Sequence, residues 1–462
     1  MKLKKLSVLI MALSLVISAS ALVGCAPKGG DDGGINEKPD PTRTQITVAI
    51  KNDSVEKKIL TKLKTAFEAE NSDVQIIIKA SLGADYTKAI FNYSSTEFPD
   101  MIWASGDVHQ PVSAAGKFQN LKEYFDRDFP DWETEFSDTS MRSTHYSYDD
   151  DGIWFAPRDY NSLVIMYNKD IFANAISYDS TIKMPNDPSY YEGGKTGWTW
   201  EEFEETLRKF RVLIEDNNAK GYGLTRTSYP LVGQLNWNPV YYTLVKGFGG
   251  EIIDGITVKL DDSATRTALE KIRALGVDKL STDASSAFTN KLAAMSVAVR
   301  TTVGGALASG LNVDVVPFPT IGDASSFKVG AGCSGYAMSA SSEHKDEVWR
   351  FLKFMLSLEG QEIIGETQSI VPVRMELFDK ADASWRTSTP NINNDAFVSD
   401  YESALHLNFA DHVAPNNQGA VYQDVTDFFY WLPQAKYSGD SGLNELISIY
   451  KTKLQNSING LS

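Results

Sequence analysis

Six residues, Gly330-Ala331-Gly332-Cys333-Ser334-Gly335, spell the G-x-G-x-x-G pattern of a dinucleotide-binding turn. That chemistry needs a helix opening at the third glycine and an acidic residue about 20 positions further on. Here Tyr336-Ala337-Met338-Ser339 follows, an extended run, so these glycines are not a cofactor loop. Ser54-x-x-Lys57 with Lys195-Thr196-Gly197 imitates two fragments of a serine β-lactamase signature. The Ser-Asp-Asn fragment is absent, and Ser54 stands where a helix begins. Asp149-Asp150-Asp151 offers carboxylates but lacks the ligand ladder and closing Glu of a calcium loop, and reads as a solvated turn. Five histidines, at 109, 145, 344, 406 and 412, are scattered without zinc-site spacing. Neither a Gly-x-Ser-x-Gly elbow nor a phosphate-cradling Gly-x-x-x-x-Gly-Lys-Ser/Thr occurs. The expectation is no catalytic residue, no metal and no cofactor. Paired carboxylates of the glycosidase kind carry no short signature and stay open.

Any site must be held by the elements around it. From residue 45 to about 215, short apolar runs alternate with helical patterns. Residues 46–50 (Ile-Thr-Val-Ala-Ile) predict a buried strand. Asp53 offers an N-cap, with Glu56 at the capping-box position, and Val55, Ile59, Leu63 and Phe67 share one helical face. Residues 73–80 and 100–103 predict two further strands. Strand, helix, strand in that order implies parallel βαβ units and an α/β sheet. Residues 146–155, around Asp151-Gly152, predict a hairpin, and residues 163–167 another strand. Thr199 caps a helix starting near Trp200, with Glu202 at the box position and Phe203, Leu207, Phe210 and Ile214 facing inward. Ser342 precedes a helix with Val348, Phe351, Leu352 and Met355 on its apolar side.

With 462 residues, the chain predicts more than one domain. Lys2, Lys4 and Lys5 precede a short apolar run, too short for the roughly 20 residues of a membrane-spanning helix. This is the pattern of a secretory signal peptide. Leu22-Val23-Gly24-Cys25 resembles the lipobox of bacterial lipoproteins, which implies a signal at 1–24 and acylation of Cys25. Residues 25–44, rich in Gly, Pro and charge, then form a flexible tether on the outer face of the membrane. Removing the three leader lysines takes the formal charge from −16 to −19, a balance that argues against nucleic acid. Cys333, the second cysteine, has no partner once Cys25 is lipidated, so the core must hold the fold.

Several blocks, in order, resemble the family 1 extracellular solute-binding proteins, lipoprotein receptors of sugar-importing ABC transporters related to maltose-binding protein. They are residues 153–161 (Ile-Trp-Phe-Ala-Pro-Arg-Asp-Tyr-Asn), 163–170 ending Tyr-Asn-Lys-Asp, and 199–203 (Thr-Trp-Glu-Glu-Phe). Then come Phe248-Gly249-Gly250-Glu251-Ile252, Ser334-Gly335-Tyr336-Ala337-Met338, residues 349–354, Glu359-Gly360-Gln361, and Val371-Pro372-Val373-Arg374. The resemblance implies a two-lobed α/β fold of the type II periplasmic-binding-protein kind, its lobes joined by crossing hinge strands. It divides the chain into lobe 1 at 45–158 and 337–384, and lobe 2 at 159–336 and 385–462.

What the resemblance implies for function is a monomeric, non-enzymatic receptor that captures a carbohydrate between the lobes and delivers it to permease subunits. Trp103 and Asp107 carry over from the family's Trp and Asp near a strand end. Asp159, Tyr160 and Asn161 fall on the first crossing, and Gly332, Ser334 and Tyr336 on the second. Trp237 is a loop aromatic suited to a sugar face, and Tyr422 lies where the family match is poor. After Ala294-Met295 the family usually presents a Trp; here Val299-Arg300-Thr301 stands, and Arg300 is expected to bond hydroxyls or a carboxylate, which admits acidic sugars. The rival readings are a peptide or polyamine receptor of the same fold, and a surface polysaccharide hydrolase or lyase.

Overall fold

A computed structural model describes residues 37–83, 86–94, 97–216, 223–399 and 401–461. The signal peptide, Cys25 and most of the tether lie outside the described residues. Among the described residues no helix is long and apolar enough to cross a membrane.

Three sheets organise the chain. The first has the order β2-β1-β3-β14-β4, from Val74–Leu82, Thr44–Lys51, Met101–Ser105, Ser334–Met338 and Ala156–Pro157. β1 pairs in parallel with β2 and β3, as the βαβ reading expects, and β14 runs antiparallel to β3 and β4. The second has the order β10-β7-β11-β6-β12, from Ser281–Thr282, Tyr229–Val232, Ala293–Ala298, Val164–Asn168 and Val313–Pro317. Between them lies a sheet of order β15-β5-β13-β16, from Val371–Pro372, Asp159–Ser162, Gly330–Gly332 and Leu405–His406. A small hairpin, β8 (Ile253–Asp254) with β9 (Thr257–Val258), completes the strands.

The middle sheet is where the chain crosses. It passes from β4 through β5 to β6, and returns from β12 through β13 to β14. Close approach is built in at Gly335, where a Cβ would collide with the main-chain oxygen of Ala156. No larger residue allows β14 to lie on β4.

One hydrophobic core surrounds the first sheet, with Ile46, Val48, Ile102 and Met338 against Leu63, Phe67 and Phe351 from helices. The second sheet is covered on both faces, because side chains alternate along a strand. Leu163, Ile165 and Tyr167 meet Phe172, Phe210 and the C-terminal helices (Phe428, Leu446). Val164 and Met166 meet Leu377, Phe378, Trp385 and Phe397. Residues that double coverage makes apolar on both faces read as a continuous run, as seen at 163–167.

Local expectations meet mixed outcomes. The helix Trp200–Glu215 carries the full capping box of Thr199 and Glu202. Asp53 caps the helix Ser54–Glu70 by accepting from the Glu56 N–H at 2.7 Å, but the Glu56 side chain turns inward to Arg158 instead of closing the box. The hairpin expected at 146–155 does not form. The Asp150 carboxylate accepts from Tyr146 N (2.9 Å), Gly152 N (3.1 Å) and Trp154 Nε1 (2.8 Å), so it satisfies groups a strand ladder would have used.

Candidate functional site

β3 ends at Ser105 at the edge of the middle sheet, and the turn after it carries Gly106 and Asp107. Carboxyl ends of parallel strands leave backbone free to meet a ligand. There a cavity of about 240 Å³ opens between the first and second sheets. Trp103, Ser105 and Asp107 form one wall. Trp237, Asn238, Val299 and Thr301 form the opposite wall, and Asn161, Gly332 and Ser334 on the crossing strands form the floor. Arg142, Ser143, His145, His406 and Asn408 close one end.

Trp103 has Lys51 Nζ 3.7 Å above its ring and the edge of Tyr86 5.8 Å away. Ser105 Oγ donates to the Asp107 carboxylate. Asp107 is the one carboxylate in the cavity wall among the described residues, where two-carboxylate hydrolysis needs a pair. Trp237 precedes the helix Asn238–Gly247, whose Pro239 in the first turn fits a position with no hydrogen-bond duty. The Arg142 guanidinium has no ion pair among the described residues. Burial lowers the pKa of His145 and of His406; nearby carboxylates, Asp150 and Asp138 respectively, oppose the shift, and Arg142 adds to it. Asn161 Oδ1, Asn238 Oδ1 and His406 Nδ1 are buried without a hydrogen-bond partner.

Beneath the floor lies a buried charge network. Arg158 donates through Nη1 to both oxygens of Glu56 at 2.6 Å, and through Nη2 to Asp159 at 2.5 Å and to Ser334 Oγ at 2.8 Å. Asp159 in turn accepts from Ser334 N at 2.8 Å and Asn161 Nδ2 at 2.9 Å. The two floor residues are thus oriented from below by a charge that never reaches the cavity.

Of the residues singled out in the sequence, Trp103, Asp107, Asn161, Trp237, Gly332 and Ser334 come together in the cavity walls. Asp159 does not line it, being engaged with Arg158 underneath. Tyr160 points to the other face of β5 and packs on Phe378 at 5.4 Å. Tyr336 lies deeper along β14 with its hydroxyl donated to Glu56. Arg300 is fully buried on the far side, donating from Nη2 to Trp385 O (2.9 Å) and Thr389 Oγ1 (2.6 Å) with its guanidinium 5.2 Å from the Phe397 ring. The helix Arg300–Ala308 starts there, and it is Thr301, one residue on, that meets the cavity. Tyr422 lines a second, neighbouring cavity and donates to Leu407 O at 3.2 Å.

Arg142, His145, His406 and Asn408 went unselected. Arg142 ends the short helix Asp138–Arg142, His406 lies on the two-residue strand β16, and His145 and Asn408 lie in loops, and nothing local in their sequence marks them. Among the described residues no group of three or more His, Cys, Asp or Glu could hold a metal ion. Burial raises the Cys333 thiol pKa well above its ordinary value, so it is no thiolate nucleophile.

The second cavity, about 640 Å³, has Asp107, Trp237 and Asn238 in common with the first. Further out the lobes touch: the rings of Tyr148 and His412 stack at 4.1 Å, and Gln418 Nε2 donates to Tyr146 O at 3.0 Å.

Solved structures share this architecture. The GacH receptor of Streptomyces glaucescens, known unliganded and with acarbose, is 17% identical and superposes with a TM-score of 0.67 over 90% of this chain and 99% of its own. Maltose-binding MalE of Listeria monocytogenes, in complex with maltose, is 17% identical, with a TM-score of 0.63 over 90% and 98%. UgpB of Mycobacterium tuberculosis, in complex with glycerophosphocholine, is 16% identical, with a TM-score of 0.69 over 90% and 99%. At such identities the likeness is one of fold: two lobes of the maltose-binding-protein kind. No curated protein sequence matches the chain. The profile of the bacterial extracellular solute-binding proteins matches residues 62–396, nearly three quarters of the chain, and the chain belongs to that family.

Proposed function

We propose that the protein is a non-enzymatic receptor, held to the outer face of the membrane by lipid on Cys25, that captures a carbohydrate between its lobes. It delivers the sugar unaltered to the permease of an ABC importer. The observation that carries this reading is the cavity itself, walled by both lobes, with Trp103 and Trp237 on opposite sides and unpaired polar atoms on Asn161, Asn238 and His406. A buried polar atom without a partner costs about 1–3 kcal/mol, and a sugar hydroxyl, both donor and acceptor, can serve any of the three. Aromatic faces suit the apolar side of a pyranose. A ligand touching both lobes favours their closed arrangement, which a permease can read as occupancy. In this reading lobe 1 takes residues 45–158 and 337 to about 374 and lobe 2 the remainder, the later boundary at 384 being disfavoured by Leu377 and Phe378, which pack with Val164 and Met166.

Thermal unfolding of the mature protein against mono- and oligosaccharides tests the reading. A ligand at 100 times its Kd adds about 2.7 kcal/mol, so Tm should rise with dose. Stabilisation by a peptide or polyamine and by no saccharide would overturn the carbohydrate assignment. Cys25→Ser should move the protein from the membrane fraction to the medium; retention on the membrane would overturn the anchor.

A further inference from the structure

The smaller cavity is electrically two-ended. Asp107 stands where it meets the larger one, since Asp107, Trp237 and Asn238 are in the walls of both. Arg142, His145, His406 and Asn408 line the smaller cavity alone, at its other end. Arg142 is exposed there and has no ion pair among the described residues. The carboxylates around that end are already engaged. Asp150 accepts from Tyr146 N, Gly152 N and Trp154 Nε1, Asp138 lies 3.5 Å from His406 Nε2, and Asp411 accepts from Asn408 Nδ2. A guanidinium that lines a cavity without a counter-ion is a seat for an anion, and its fork of N–H groups fits two oxygens of one carboxylate or phosphate. With the Nε2–H of His406 toward Asp138, the neutral ring leaves Nδ1 as an acceptor. That atom is buried without a partner, as is Asn161 Oδ1 on the floor. Both need a donor, which a hydroxyl supplies and an anion does not. This end of the cavity therefore suits a negative group and hydroxyls on the same small molecule.

We infer that the ligand is an acidic saccharide, its carboxylate or phosphate held by Arg142 and its hydroxyls serving His406, Asn161 and, at the junction of the cavities, Asp107. This rests on the carbohydrate reading above and adds the charge and its seat. The reverse orientation brings the anion to Asp107, and a polyamine sets a cation against Arg142. Like charges in contact weaken binding, so the two ends select both the class of ligand and its direction. Arg142 makes no side-chain hydrogen bond among the described residues, so its replacement leaves the fold intact. Lys328 is the control: it is exposed and close enough to lower the pKa of His406, but it does not line the cavity.

The experiment is calorimetric titration of the mature protein with glucose, galactose and mannose, with their uronates and sugar phosphates, and with di- and trisaccharides of the same units. The expected result is an acid that binds at least tenfold more tightly than its neutral parent at low salt, an advantage that shrinks as salt rises. Whether the uronate or the phosphate gains more names the group. In Arg142→Gln the advantage falls below threefold, and in Lys328→Gln it stays within twofold of wild type. A neutral parent that binds as tightly as its acids, or an advantage that survives Arg142→Gln in full, overturns the inference and leaves the sugar receptor standing. Equal losses in the two variants overturn it as well, because the effect is then the general field of the surface and not a contact at Arg142. Failure of every saccharide to bind the folded protein overturns both.

Discussion

Replacing Arg158 with methionine asks whether the buried network under the cavity fixes the crossing strands. The guanidinium serves two carboxylates at once, Glu56 at 2.6 Å and Asp159 at 2.5 Å, and both residues are almost wholly buried, 4% and 1% exposed. Without the arginine two carboxylates remain together in the interior with only neutral donors: the Tyr336 hydroxyl, the Ser334 N–H and the Asn161 amide. Removing one partner of a buried pair costs about 3–5 kcal/mol, and here one removal strands two partners, so the upper end, about 5 kcal/mol, is expected. That is a large part of the roughly 5–15 kcal/mol that holds a domain folded. Glu56→Gln is the control. It leaves Arg158 and Asp159 as a balanced pair and keeps an acceptor for Tyr336, so it should cost only about 1–2 kcal/mol. Urea unfolding followed by tryptophan fluorescence gives both values from the midpoint and slope. Ligand titration supplies a second readout, since Arg158 reaches the site only through Ser334 and Asn161. Arg158→Met should weaken binding about tenfold, roughly 1.4 kcal/mol, and Glu56→Gln should leave it unchanged. Two variants within 1 kcal/mol of each other, or an Arg158→Met loss under about 2 kcal/mol, would refute the reasoning.

Two further outcomes follow from buried charges elsewhere. Burial raises the Asp411 carboxyl to about 7, against the help of Asn408 and Arg142. The folded state therefore holds that proton more tightly than the unfolded chain, and the associated stability, present at low pH, is lost as pH climbs through 7. Asp411→Asn should gain on wild type by about 2 kcal/mol between pH 5 and pH 8, discounted for partial exposure; a difference that stays flat with pH rules this out. For Arg300, burial lowers the pKa to about 10, and Nε and Nη1 have no partners. Arg300→Met should shift stability by no more than about 2 kcal/mol in either direction and leave ligand Kd unchanged, whereas a tenfold loss of affinity would return Arg300 to the site.

The difference between what the residues reveal and what they conceal is one of phase and distance. β1, β3 and the helix Ser54–Glu70 are legible because apolar spacing along a short segment fixes which side is buried, and parallel order follows from connection lengths. Trp103, Asn161 and Ser334 were selectable because strand ends and crossings are the positions that face a cleft. Position along the chain still leaves direction open. Tyr160 and Asn161 are adjacent on β5, and the pleat sends one to the Phe378 side and the other to the cavity. Arg300 and Thr301 are adjacent at a helix start, and one step of about 100° separates the far core from the site. Ser334 and Tyr336 share a face of β14, yet two residues of rise, about 7 Å, take the tyrosine below the floor to Glu56. Arg142, His145 and His406 leave no trace at all in sequence, since their meeting depends on β16 docking beside β13, more than seventy residues apart along the chain. Long-range pairing of so short a strand has no periodicity to announce it. A cleft between two lobes is therefore the part of such a chain least written in local pattern, because each wall is folded by contacts that belong to a different core.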